Sequence, residues 1–146
     1  MSDERYFVDT NILIYAHDRS ASAKHEQARA LIESLWENGN GCLSIQVLQE
    51  FYVNATRKIN KPLNTETAKD IIASLGEWPT HSPTVGDVLA AIELQRRYSL
   101  SFWDAMILTS AAKLECNVLL SEDLSEGHDY DGVKVVNPFS GEMQKV

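Results

Sequence analysis

Residues 6–16 read YFVDTNILIYA, and this stretch decides how the rest of the chain is interpreted. Its first three residues are aromatic or β-branched, which is typical of a short buried strand. Asp9 closes that strand, and a short helix is predicted from Asn11 to Ala16. Because Asp is a favoured helix N-cap, Asp9 is open to a structural as well as a functional interpretation.

The same strand–helix alternation continues outward from this stretch. Further strands are predicted at CLSI, NVLLS and VKVV. Apolar periodicity and stop signals predict helices over residues 23–38, 46–59, 65–75, 84–98 and 101–115. Strands that alternate with helices favour an α/β fold with a mainly parallel sheet covered on both faces.

Length and composition indicate a single domain over residues 1–146, since the chain has no repeat, low-complexity tract or Pro/Gly-rich linker. Its two cysteines, Cys42 and Cys116, lie in apolar stretches and form no CxxC pair, so we expect reduced, buried thiols. The N-terminus lacks a secretory apolar run, and no stretch is long enough to span a membrane. We therefore expect a soluble, cytoplasmic protein.

The net charge of −8 argues against a protein that holds nucleic acid by a basic surface. A nuclease whose bound metal ions supply the positive charge stays possible. The sparse basic residues group as Arg57, Lys58 and Lys61, and as Arg96 with Arg97. The first group is a candidate RNA-binding patch because Arg57 lies two turns from Glu50. Solvated helix ends are the alternative for both groups.

Carboxylates fall where an open α/β sheet places its sites, beyond the carboxyl ends of the strands. Asp9 follows the first strand and Asp123 follows NVLLS, while Glu50 and Asp104 lie early in helices next to strands. We expect all four to converge on one edge of the sheet. Glu122, beside Asp123, leaves open which of these two acids takes part.

Each acid also has a structural explanation when taken alone. Glu50 lies on a polar helical face, and Asp104 fits a capping box that begins at Ser101. However, Asp104 also stands on an apolar stripe, where a carboxylate is costly unless it is paired or metal-bound. The tryptophans Trp36, Trp78 and Trp103 are interpreted as core or interface anchors rather than base-stacking platforms.

Together, the acids and their flanks resemble the PIN-domain family. The motifs that carry the resemblance are DTNILIY at Asp9, LQEFY at Glu50, SFWDAMI at Asp104, LLSEDLSEG at Asp123 and the closing VKVVNPF. They span nearly the whole chain in the family's order. Among family members the chain looks most like the virulence-associated protein C (VapC) toxins, the ribonuclease halves of type II toxin–antitoxin pairs.

This resemblance implies a PIN-like three-layer α/β/α sandwich and a metal-dependent endoribonuclease. Asp9, Glu50, Asp104 and Asp123 would hold Mg²⁺ or Mn²⁺, ions that prefer oxygen ligands. Asn11 and Ser121, and also Ser101, would be supporting polar groups. The implied partners are RNA, a cognate antitoxin and a second copy of the chain.

Two other classes of protein stay open. A phospho-accepting receiver module also gathers acids at strand ends, but it needs an acidic pair after the first strand and a lysine that ends the last. Here the first strand is followed by one aspartate, and Lys134 lies at the start of VKVV. A catalytically silent PIN fold that acts only in binding is the second alternative.

Overall fold

The computed structural model describes residues 4–140, so residues 1–3 and 141–146 of the predicted domain lie outside the described range. Within that range the strands are β1 Tyr6–Val8, β2 Gly41–Ser44, β3 Thr80–His81, β4 Val118–Leu120, β5 Asp129–Tyr130 and β6 Val133–Val136. The helices are α1 Thr10–His17, α2 Ala23–Asn38, α3 Ile45–Arg57, α4 Thr65–Leu75, α5 Val85–Tyr98 and α6 Phe102–Lys113. No helix in this part of the chain is long and apolar enough to cross a membrane.

The strands form one sheet in the order β3-β2-β1-β4-β6-β5. All neighbouring strands are parallel except β5, which pairs antiparallel with β6. The first strand of the chain therefore lies in the middle of the sheet, between β2 and β4. This confirms the predicted mainly parallel sheet.

The sheet is covered on both faces, because the side chains of β2 and β4 are buried at every position. Strands with two buried faces read as continuous apolar runs rather than alternating ones. Helix α1 packs against α2 and α3, α3 packs against α4, and α5 packs against α6. The arrangement is the α/β/α sandwich that was predicted. Cys42 and Cys116 are free and buried, also as predicted.

Polar caps fix where the helices begin. Asp9 is the N-cap of α1 and Ser44 the N-cap of α3, so each helix starts directly where a strand ends. Thr84 and Asp87 form the predicted capping box at the start of α5, with both reciprocal hydrogen bonds present. These short connections place the first turns of α1 and α3 at the carboxyl edge of the sheet.

Two edge strands were not predicted. Strand β3 has two residues and pairs only with β2, so it carries too little local pattern to be recognised. Strand β5 is joined to β6 by Asp131 and Gly132, which both have positive φ. An Asp-Gly pair is a strong signature of a tight hairpin turn, and this signal could have identified β5.

Candidate active site

An open cleft of about 410 Å³ lies at the carboxyl edge of the sheet. All four predicted acids line it: Asp9 after β1, Glu50 on α3, Asp104 on α6 and Asp123 beyond β4. The four acids therefore lie together at one edge of the sheet, as the sequence analysis expected. None of the four forms an ion pair within residues 4–140.

Asp9 is the most deeply placed acid, with 5% of its surface exposed. Its Oδ1 accepts from the backbone N–H of Thr10 at 2.7 Å, and its Oδ2 accepts from the hydroxyl of Ser121 at 2.7 Å. Burial raises the pKa of Asp9 to about 6; the two hydrogen bonds oppose this shift, and the charges of Asp123 and Asp104 add to it. Asp9 is thus both a helix cap and a buried carboxylate in the cleft.

Glu50 is positioned by a residue of another helix. The Thr10 hydroxyl donates to Glu50 Oε1 at 2.7 Å, which ties the first turn of α1 to the middle of α3. Asn54, one turn further along α3, donates to the Glu50 backbone carbonyl at 2.8 Å and also lines the cleft. Glu50 is half-buried here rather than an ordinary exposed residue of a polar helical face.

Asp123 is exposed but held by the two residues that were predicted to support the site. Asn11 Nδ2 donates to Asp123 Oδ2 at 2.9 Å, and the backbone N–H of Asp123 donates to Ser121 Oγ at 3.1 Å. Since Ser121 also donates to Asp9, one buried hydroxyl connects both strand-end acids.

Glu122, the alternative to Asp123 as the fourth acid, contacts Tyr15 and Lys24 rather than the cleft. It accepts from the hydroxyl of Tyr15 at 2.7 Å and forms an ion pair with Lys24. Burial works against ionisation, but these two partners lower the pKa of Glu122. Asp123 lines the cleft, and Glu122 does not. This geometry favours Asp123 as the fourth acid.

Asp104 occupies the first turn of α6, where a capping box was predicted with Ser101. Only half of that box is present: Ser101 Oγ accepts from the Asp104 backbone N–H at 3.1 Å. The Asp104 side chain makes no hydrogen bond to any residue from 4 to 140, so the capping explanation does not account for it. Ser101 does not line the cleft.

The donor set of the cleft fits a hard divalent cation. Its acidic groups are carboxylates, and one of them, Asp9, is buried and forms no ion pair within residues 4–140. Within residues 4–140 no three acidic, histidine or cysteine side chains lie close enough to hold an ion directly as they stand. Mg²⁺, however, is commonly held by one or two carboxylates together with waters and substrate phosphates.

The basic residues divide into one that lines the cleft and several that do not. Lys58, the C-cap of α3, is part of the cleft wall, whereas Arg57 and Lys61 are exposed outside it. In the second group, Arg96 pairs with Glu93 at 3.4 Å and Arg97 pairs with Asp131 at 2.5 Å. Of these basic residues, Lys58 is the one that lines the cleft together with the acids.

Two further residues of the cleft were missed by the sequence analysis. Trp103 is 61% exposed and lines the cleft beside Asp104, so it is no core residue, unlike the buried Trp78. Gln46, in the first turn of α3, also lines the cleft, and it contacts the backbone of Trp103. The motif SFWDAMI places Trp103 directly before a candidate acid, but no local pattern indicates that its side chain is exposed in the cleft.

The PIN domain family model matches residues 6–125, so the chain belongs to the PIN-domain family. This confirms the predicted resemblance and favours it over the receiver module. No curated protein sequence matches the chain significantly.

Solved structures confirm the fold. A toxin–antitoxin complex from Klebsiella pneumoniae gives a TM-score of 0.66 at 20% identity, covering 92% of this chain and 98% of that chain. VapC20 of Mycobacterium tuberculosis, a sarcin–ricin loop cleaving toxin, gives a TM-score of 0.61 at 20% identity, covering 81% of this chain and 89% of that chain. DNA-bound VapBC from Salmonella typhimurium gives a TM-score of 0.65 at 17% identity, covering 92% of this chain and 98% of that chain.

Proposed function

We propose that this protein is a metal-dependent endoribonuclease that acts as the toxin of a type II toxin–antitoxin pair. The observation that carries the proposal is the convergence of Asp9, Glu50, Asp104 and Asp123 on one cleft of a PIN-domain chain. Repulsion among clustered carboxylates is relieved when a cation binds between them. The cleft therefore favours a cation and, through it, a phosphate.

The four acids would hold Mg²⁺ or Mn²⁺, with Asn11 and Ser121 as supporting groups. A metal bound there supplies a water of lowered pKa near the scissile phosphate and offsets the charge that develops on it. Ser121 and Thr10 keep Asp9 in one orientation, since each of its oxygens accepts a hydrogen bond. Lys58 contributes a positive charge on the cleft wall, with Arg57 and Lys61 extending the RNA-binding surface.

Cleavage by the purified protein tests the enzymatic part of the proposal. We expect the protein to cut RNA in the presence of Mg²⁺ or Mn²⁺ and to stop cutting when EDTA is added. Changes to groups that only support a metal ligand typically cost about 10- to 100-fold in activity. Asp9→Asn and Asp104→Asn, which change proposed ligands themselves, should therefore lose at least that much cleavage activity. Melting curves check that the variants stay folded. Robust cleavage in EDTA, or near-normal turnover by both variants, overturns the metal mechanism. A wild-type protein that binds RNA without cutting it is instead a catalytically silent PIN fold.

The toxin role and the partners rest on the resemblance to VapC proteins. Several proteins of similar fold are named as toxins or toxin–antitoxin complexes. We expect expression of the chain alone to slow bacterial growth, and Asp9→Asn to grow normally. Unhindered growth with an active nuclease would contradict the toxin role. A cognate antitoxin, a homodimer and a cytoplasmic location are part of this proposal, the last because both cysteines are free thiols.

A further inference from the structure

Trp103 presents an indole ring at the mouth of the acidic cleft. Trp103 is 61% exposed, and the only ring contact of its indole among the described residues is an edge-on one with Phe102, with centroids 5.0 Å apart. An exposed ring of this size is one of the largest apolar surfaces that a side chain can leave to solvent. Its neighbour in sequence, Asp104, is a candidate metal ligand in the same cleft.

Gln46 adds an unsatisfied hydrogen-bond acceptor next to Trp103. Its Nε2 donates to the Trp103 backbone carbonyl at 3.3 Å, so its position is linked to that of the indole. Its Oε1 is buried and accepts no hydrogen bond from any residue in the range 4–140. The side chain is nine-tenths buried and lines the cleft, so a donor on a ligand seated there can satisfy this acceptor.

We propose that Trp103 and Gln46 form a nucleobase-binding subsite, in which an unpaired RNA base stacks on the indole and donates an N–H to Gln46 Oε1. This inference rests on the proposed ribonuclease function. Every nucleobase has a π-face, so stacking tolerates sequence, whereas the acceptor selects for bases that present an N–H on the edge facing it. Trp103 and Gln46 would therefore set which nucleotide lies beside the cleaved bond.

An RNA base suits this position better than a protein side chain does. A substrate that places a phosphate among the acids can bring a neighbouring base to Trp103, because Trp103 and Asp104 line the same cleft. Lys58, also in the wall, can meet a second phosphate of the same strand. Unpaired bases that stack on aromatic side chains are the usual mode of single-stranded RNA recognition.

Binding of a short fluorescein-labelled single-stranded RNA, measured by anisotropy in EDTA, tests the subsite. We expect Trp103→Ala to weaken binding roughly 5- to 150-fold, the range that stacking of one base contributes, and Trp103→Phe to recover much of the loss. The matched control is Trp36→Ala, a half-exposed tryptophan outside the cleft that packs on Trp78. In Mg²⁺, the Trp103→Ala defect should appear mainly in KM rather than in kcat.

An RNA that carries abasic nucleotides identifies the contact itself. If the base stacks on Trp103, Trp103→Ala should weaken binding of the normal RNA, and the abasic RNA should bind more weakly to the wild type. The two changes combined should weaken binding no more than either change alone. Gln46→Leu should weaken binding of the normal RNA but not of the abasic RNA. Because it removes the hydrogen bond to the Trp103 carbonyl as well as the unpaired acceptor, melting curves check that the fold is kept.

The outcomes separate this inference from the proposed function. Additive effects, or unchanged affinity in Trp103→Ala while the wild type cuts RNA, overturn the subsite and leave the indole as a contact for a protein partner. A wild type that neither binds nor cuts RNA overturns the proposed function itself.

Discussion

The hydroxyl of Ser121 donates to Asp9 Oδ2 over 2.7 Å and joins two residues that are 112 positions apart in the chain. Both residues follow neighbouring parallel strands, Asp9 after β1 and Ser121 after β4. This hydrogen bond holds the buried carboxylate toward the cleft. It also connects the site to the central pair of strands in the sheet.

Ser121→Ala is expected to lower metal affinity and cleavage by about 10- to 100-fold, the usual effect of removing a group that orients a metal ligand. Ser110→Ala is the matched control, because Ser110 is equally buried but bonds to His81 at 2.8 Å, outside the cleft. Titration of cleavage with Mg²⁺ and melting curves measure both effects. Equal losses of activity in the two variants would mean that packing, not orientation of Asp9, is responsible.

The pKa of Asp9 predicts a pH-dependent stability of the metal-free protein. A carboxyl whose pKa is raised to about 6 in the folded state holds its proton more tightly there than in the unfolded state. Stability therefore falls as the pH rises from about 4 to 6, and above that it stays lower by roughly 3 kcal/mol. Asp9→Asn should melt higher than the wild type at pH 7.5 in EDTA, with the difference disappearing near pH 4. A constant difference across this range would show that the charge is not the cause.

Asp123→Asn and Glu122→Gln separate two adjacent acids. The first removes a charge from the cleft and should reduce cleavage strongly, while the second loses only the Lys24 ion pair and should keep cleavage near normal. Because that pair is partly exposed, its stability effect should stay within about 1 kcal/mol. Cleavage rates at saturating Mn²⁺ make the comparison. The reverse ranking would assign the site to Glu122.

Lys58→Ala should weaken RNA binding and reduce the dependence of log K on log salt by about 1, the effect of losing one phosphate contact. Arg57→Ala and Lys61→Ala should have smaller effects, because these residues lie outside the cleft wall. Anisotropy titrations at several salt concentrations give the slopes. If Arg57 has the largest effect instead, the RNA path runs along the outer surface of α3.

An exposed apolar stripe on α5 supports the proposed homodimer. Val85, Val88, Leu89 and Ile92 recur at helical spacing, and Leu89 is 60% exposed. We expect the wild type to be a dimer by light scattering and Leu89→Glu to be a monomer with an unchanged fold. Ser34→Glu adds the same charge to an exposed position of α2 and should stay dimeric. A wild type that is monomeric at all concentrations would exclude this interface.

The sequence could predict the positions of Asp9 and Asp123, because parallel strands bring their carboxyl ends to one edge whatever the loops do. The convergence of Glu50 and Asp104 was expected because each lies early in a helix next to a strand, but the way in which α3 and α6 pack could not be predicted from helical periodicity alone. For Asp104, the sequence pattern indicated a full capping box. The structure shows that the Asp104 backbone N–H bonds to Ser101, whereas its carboxylate has no hydrogen bond within residues 4–140.

Trp103 and Gln46 could not be predicted in the same way. A tryptophan in an apolar helix reads as a core residue, and its exposure is decided by the shape of the cleft rather than by its neighbours in sequence. The unpaired oxygen of Gln46 depends on its contact with the Trp103 carbonyl, 57 positions away. Such long-range relationships leave no local pattern.

The strand order has a consequence for synthesis of the protein. β1 is synthesised before its neighbour β4, and Ser121 and Asp123, which follow β4, come more than a hundred residues after Asp9. A growing chain therefore carries Asp9 without the Ser121 hydroxyl that donates to it, since the central sheet cannot close before β4 emerges. The four acids can therefore come together on the folded sheet only after Asp123 has been synthesised.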